Sequence, residues 1–142
     1  MAEMHHEVVI EAAQEKVFEA LTTETGFKAW WTFDCDATPK VGTVATFGFL
    51  NRTVVFKMKI VELTPGKTVR WHCVGDWEEW IGTTLRFDLE PARGGGTLVR
   101  FNHAGWASTR GVYASCNTTW GALMILLKKY SEGGKPDPFF KA

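Results

Sequence analysis

The sequence predicts an α+β fold: a one-faced antiparallel sheet covered by a long C-terminal helix. Three observations carry this reading. Apolar residues alternate with polar ones in several successive runs between Thr43 and His103. Short turn sequences join these runs, so consecutive strands pair antiparallel. From about Val112 to Glu132 the period changes to steps of three and four. No repeat, low-complexity tract or linker divides the 142 residues, so residues 1–142 are expected to form one domain.

The elements follow in order. His6 to Ala12, with Val8 and Ile10 alternating against charged or small neighbours, reads as the first strand. Gln14 to Leu21 puts Val17, Phe18, Ala20 and Leu21 on one side of a short helix. Thr23 or Thr25 can cap a second short helix, whose Phe27, Trp30 and Trp31 form an inward stripe. Asp34 to Gly42 breaks regular structure.

A long β region comes next. Ala45, Phe47 and Phe49 share one face, and Val54, Phe56, Met58 and Ile60 alternate with Val55, Lys57, Lys59 and Val61. Pro65-Gly66 turns the chain into Val69, Trp71 and Cys73. Ile81, Thr83, Leu85, Phe87 and Leu89 form the next inward row. Gly94-Gly95-Gly96 then leads to Val99, Phe101 and His103. Arg70, Arg86, Asp88 and Arg100 fall on the opposite, wet face. The last segment carries Tyr113, Cys116, Trp120, Leu123, Met124, Leu127 and Tyr130 on one stripe, with Lys128 and Lys129 near its end and Gly133 as its stop.

Composition narrows the function. Sixteen Lys+Arg balance sixteen Asp+Glu, which removes any general attraction to nucleic acid or anionic lipid. The longest apolar run, Ala122 to Leu127, is about a third of a membrane span of ~20 residues. The opening residues lack the basic and apolar regions of a signal peptide, and three scattered cysteines without a Cys-x-x-Cys read as free thiols. A cytoplasmic protein is expected. Seven Trp and ten Phe exceed what a small core needs, and point to thick aromatic packing or a cavity to line.

Several local phrases extend the picture. Val8-Val9-Ile10-Glu11-Ala12 runs into Val17-Phe18-Glu19-Ala20-Leu21-Thr22, and Trp30-Trp31 and Val41-Gly42 follow. Thr64-Pro65-Gly66-Lys67 precedes Val69-Arg70-Trp71. Gly95-Gly96-Thr97 and His103-Ala104-Gly105-Trp106 lead to a final helix with Trp120, Leu123, Leu127 and Gly133. In this order the phrases resemble the SRPBCC (START/birch-pollen-allergen) superfamily. Within it they are most similar to the family named after the C-terminal domain of the activator of the heat-shock protein 90 ATPase. The likeness spans residues 6 to 134. It implies a helix-grip fold, in which a curved sheet of about six strands wraps the last helix and leaves a cavity between them. Ala13 stands where such proteins often carry Pro, and no catalytic pattern of the enzyme branches is visible, so the resemblance transfers a shape and a pocket but no reaction.

His5 and His6 are adjacent and point to opposite faces of a strand, His72 points outward, and only His103 is expected inside, so no metal site is expected. Cys73 and Cys116 sit on apolar stripes as small core residues, and no Gly-x-Ser-x-Gly elbow is present. No cofactor is expected. Trp31, Phe49, Phe56, Met58, Trp71, Phe101, Trp120 and Met124 all fall inward, with His103 as a polar handle; together these nine form the candidate ligand-binding set. The expected function is binding of a small hydrophobic or aromatic molecule between sheet and final helix, by a monomer or homodimer. Two alternatives remain. One is a chaperone-interacting module, with Trp30 or Trp80 at an exposed rim. The other is a cyclase- or dehydratase-type enzyme using His103 or Glu79 as acid/base.

Overall fold

In the computed structural model, which describes residues 2–141, the alternating runs become seven antiparallel strands in one sheet, ordered β1-β7-β6-β5-β4-β3-β2. The strands are β1 (Ala2–Ile10), β2 (Cys35–Asp36), β3 (Val44–Phe49), β4 (Val54–Thr64), β5 (Thr68–Asp76), β6 (Thr84–Pro91) and β7 (Thr97–Trp106). Two short helices, α1 (Gln14–Ala20) and α2 (Glu24–Trp30), follow β1, and α3 (Val112–Ser131) ends the fold. The helix-grip architecture expected from the sequence is present.

The sheet curls because its strands carry extra residues. Register slips at Val61 of β4 and Val74 of β5 leave each without an opposite partner. Such bulges bend a strand and increase its twist. A third slip falls at Gly105, opposite the Ala2–Glu3 step, where φ is +93°. A Cβ there would sit in a left-handed backbone and 3.3 Å from the Gly82 carbonyl oxygen, so the bend needs glycine.

The curl holds α3 against β1. The Tyr113 hydroxyl donates to the Glu3 carbonyl at 2.9 Å, and Lys128 Nζ donates to the Val9 carbonyl at 2.8 Å. Between them His6 Nε2 lies 2.9 Å from Asn117 Oδ1. Trp120, Leu123, Met124 and Leu127 of α3 are buried, as the stripe predicts. At the other end of the sheet α2, capped by the Thr23 hydroxyl accepting from the Gly26 N–H at 3.0 Å, turns Phe27 onto Phe47 and Trp71. After α3 the chain returns across α2: the N–H groups of Asp137, Phe139 and Phe140 donate to the carbonyls of Ala29, Trp30 and Trp31.

Four expectations change. The first strand begins at Ala2, not His6, which sets Met4 and His6 on the inner face; His103 is therefore not the only inward histidine. The sheet has one strand more than the six expected, because β2 (Cys35–Asp36) is too short to show a period. Ile81 is 50% exposed in the loop before β6, which begins only at Thr84. Trp30 and Trp80 are not rim residues; both are buried, and Trp30 Nε1 donates to the Ala20 carbonyl at 2.8 Å.

Candidate functional site

Five aromatic side chains from five segments close a cycle beneath the N-terminal half of α3. Trp31, just after α2, meets Phe49 of β3 at a centroid distance of 5.6 Å, and Phe49 meets Phe56 of β4 at 4.9 Å. Phe56 stacks on Trp80 at 3.9 Å, Trp80 lies 6.2 Å from Trp120 of α3, and Trp120 returns to Trp31 at 5.3 Å. All five are nearly fully buried. They form the inner wall of a cavity of about 180 Å³.

The outer wall is built differently. Trp77 stacks on Phe56 at 5.4 Å, and Phe140 of the returning C-terminal segment packs edge-on against Phe49 at 4.8 Å. Helix α3 adds Cys116, Thr119 and Leu123, and the start of β4 adds Val54. Exposed Leu50 and Ser115 mark the end that meets solvent. Among the described residues no charged side chain lines the cavity. Leu50, Asn51 and Arg52 in the adjoining turn all have positive φ (52°, 56° and 63°). For Leu and Arg that region costs roughly 1–2 kcal/mol per residue.

The polar groups at hand are few. Thr119 and Ser115 hydroxyls donate to the carbonyls of Ser115 and Val112 within the helix. Burial pushes the Cys116 thiol up, so it stays protonated. Among the described residues the buried Trp80 Nε1–H has no hydrogen-bond partner of ordinary geometry, the Cys116 sulfur beside it being a weak acceptor.

His103 lies behind this wall. Its ring packs 4.5 Å from Trp80 and 4.7 Å from Trp106, fully buried. Nε2 sits 2.8 Å from Thr83 Oγ1, whose own proton goes to the Trp80 carbonyl at 2.6 Å. A hydroxyl has one proton, so Thr83 accepts from His103 and the imidazole carries its hydrogen on Nε2. Nδ1 is left without a partner. Burial pushes the His103 pKa down to about 3, which keeps the ring neutral.

Of the nine residues picked from the sequence, the structure brings Trp31, Phe49, Phe56 and Trp120 together around the cavity. Met58, Trp71, Phe101, His103 and Met124 do not border it; they are packed core, because the cavity occupies only one end of the space between sheet and helix. His103, the expected polar handle, therefore stands outside the cavity wall. Glu79, the other acid/base candidate, is exposed and lies outside the cavity wall. Cys116 and Leu123 were on the helix stripe with Trp120, so their signal was present. Trp77 and Phe140 gave none, since each reaches the site from a segment without periodicity. Among the described residues no group of three or more His, Cys, Asp or Glu converges, and no helix is long and apolar enough to cross a membrane.

A sheet curled around a final helix above an aromatic cavity is the arrangement of the SRPBCC superfamily. The chain belongs to the family described as Activator of Hsp90 ATPase homolog 1-like protein, whose model matches residues 11–132. It is 38% identical to the protein in the solution structure of the Aha1 dimer from Colwellia psychrerythraea, with a TM-score of 0.86 over 95% of this chain and 99% of that one. Two more distant structures share the fold. MLL2253 from Mesorhizobium loti is 21% identical, with a TM-score of 0.77 over 90% of this chain and 95% of that one. The AHSA1-like protein from Aeromonas hydrophila is 16% identical, with a TM-score of 0.70 over 92% of each chain. No curated protein matches the sequence. The family read from the sequence phrases is thus the family found.

Proposed function

We propose that this protein binds a small, uncharged apolar molecule in the aromatic cavity under α3, without covalent chemistry. The observation that carries the reading is the closed cycle Trp31–Phe49–Phe56–Trp80–Trp120 around about 180 Å³ of space. Interiors normally pack to the density of organic crystals, so a gap of this size between sheet and helix, open to solvent at one end, is an exception. An apolar cavity of ~150 Å³ stays dry and takes up benzene, whereas sites for drug-sized ligands begin at about 300 Å³. The occupant is therefore limited to about one ring with small substituents.

Titration with toluene, followed by tryptophan fluorescence and thermal melting, tests this. Saturation should change the emission and raise stability by about 2.7 kcal/mol at a hundredfold excess over Kd. Thr119→Phe, which places a ring in the cavity, should abolish both responses. A wild-type protein indifferent to toluene at its solubility limit would sink the proposal. Mass spectrometry of molecules that co-purify under native conditions would identify the natural occupant.

A second reading is favoured by the family itself, whose description names an activator of the Hsp90 ATPase. In this reading an outer surface of the chain docks on a chaperone ATPase. Phe33 (61% exposed) and Phe139 (45%) flank the Thr32–Phe140 bridge and supply exposed aromatic area. Its test is stimulation of an Hsp90-type ATPase by the wild-type protein and loss of that effect in Phe33→Ser. The Colwellia relative is a dimer, which supports a homodimer here as well; sedimentation velocity checks it.

A further inference from the structure

We propose that the cavity selects an aromatic ring over a saturated ring of the same size, so that its occupant is a neutral monocyclic arene. The inference rests on the cavity reading above and narrows it to one class of ligand. Among the described residues that line the cavity, seven of thirteen are aromatic, against 13% of the chain as a whole. They are the five rings of the inner cycle, with Trp77 and Phe140 outside them. Only Leu50, Val54 and Leu123 offer aliphatic wall, and Leu50 stands at the solvent end.

The orientation of these rings matters as much as their number. Phe56 lies nearly parallel to Trp80 and to Trp77, at 14° and 10°. Phe49 is tilted by 55° from Phe56, Trp31 by 52° from Phe49 and Trp120 by 46° from Trp31, while Phe140 stands at 81° to Phe49. The wall planes point in several directions, so a ring lying flat against some of them is edge-on to others. An aromatic ring has a negative face and a positive rim, and can answer a wall face with its rim and a wall edge with its face. A saturated ring of the same outline lacks that quadrupole and gains only the burial of its surface. Both guests bury nearly the same apolar area. Selection between them therefore falls to the ring–ring contacts, whose worth comes on top of area burial.

The test uses two probes of matched outline, toluene and methylcyclohexane, each dissociation constant being corrected for the probe's transfer from water to hexadecane. On that scale the wild-type protein should favour toluene about tenfold, which is what one or two aromatic contacts are worth. Phe49→Leu and Phe56→Leu each exchange a wall ring for an aliphatic side chain, and in each the preference should shrink about threefold. Both probes are measured on the same sample, so their ratio does not depend on how much of a variant is folded. Equal corrected constants in the wild-type protein, or a preference that survives intact in both variants, would overturn the proposal while leaving a cavity that binds. A wild-type protein silent to both probes would overturn the cavity reading, and this inference with it.

Discussion

His103 Nε2 donates to Thr83 Oγ1 at 2.8 Å, and nothing answers His103 Nδ1. The ring is therefore stable only while neutral, and it must stay so inside a box of Trp80, Trp106 and Phe101. Its pKa is about 3 in the folded protein and about 6.5 in an unfolded chain. Because the folded value is the lower one, the unfolded chain takes up the proton first. The stability that neutral His103 confers is complete above about pH 6.5 and is lost as the pH falls towards 3. At pH 5 the loss should be about 2 kcal/mol relative to pH 7.5. The carboxylates of Glu24 and Glu132, held low first by the Ala37 and Glu11 N–H groups, lose their contributions only further into acid. Urea denaturation between pH 5 and 7.5 isolates the histidine. His103→Phe should flatten the slope; an unchanged slope would refute this account.

The seat of α2 depends on the absence of one side chain. A Cβ on Gly26 would lie 2.6 Å from the Ala20 carbonyl oxygen and 2.7 Å from Ala20 Cα, both of which are backbone. The same Ala20 carbonyl accepts from Trp30 Nε1 at 2.8 Å. Gly26→Ala must therefore push α2 off α1 and disturb Trp30 and Trp31 with it. Overpacking of this kind costs roughly 1–3 kcal/mol. The urea midpoint should fall accordingly, and toluene binding should weaken with it because Trp31 is a cavity wall. A neutral Gly26→Ala would show that the helix pair yields easily.

The contrast between sheet and site shows what the amino-acid order makes legible. Alternation fixed the inward rows of β3, β4 and β5, since Phe47, Phe56, Met58, Trp71 and Cys73 are all inside. It could not separate wall from core. Phe56 and Met58 are two residues apart on one face, and only Phe56 borders the cavity. That distinction depends on how far α3 stands off the sheet, which no local pattern encodes. Likewise Phe140 reaches Phe49 only because three backbone hydrogen bonds tie the returning chain to α2, a long-range event with no periodic signature. Cys35–Asp36 was missed for a simpler reason: two residues have no period.

Trp120 and Trp77 should respond very unequally to truncation. Trp120 is 1% exposed and contacts Trp31, Trp80 and Phe101, the last at 4.3 Å. Trp120→Ala should cost roughly 3–5 kcal/mol and shift the urea midpoint strongly. Trp77 is only half-buried and stacks on Phe56 from the solvent side. Trp77→Ala should cost about 1 kcal/mol, near the middle of the range for point substitutions. It should also speed toluene release, because it removes outer wall without touching the inner cycle. A small loss in Trp120→Ala would mean that its ring is not integral to the core.

All three thiols should be inert in the folded protein. Burial pushes Cys35 up to about 12 and Cys73 up to about 11, and it raises Cys116 as well. The reactive species is the thiolate, which at pH 8 is on the order of one part in ten thousand for Cys35 and one in a thousand for Cys73. Ellman's reagent at pH 8 should find less than one thiol within minutes in the native protein and three after unfolding. The slow native reaction should come mainly from Cys116, which is half-buried in the cavity wall, whereas Cys35 and Cys73 are buried. Toluene should slow that fraction further and leave unfolding-limited labelling of the other two unaltered. One thiol reacting at the rate of a free cysteine would show that the wall around Cys116 is open to water, which an apolar occupant of that cavity does not allow.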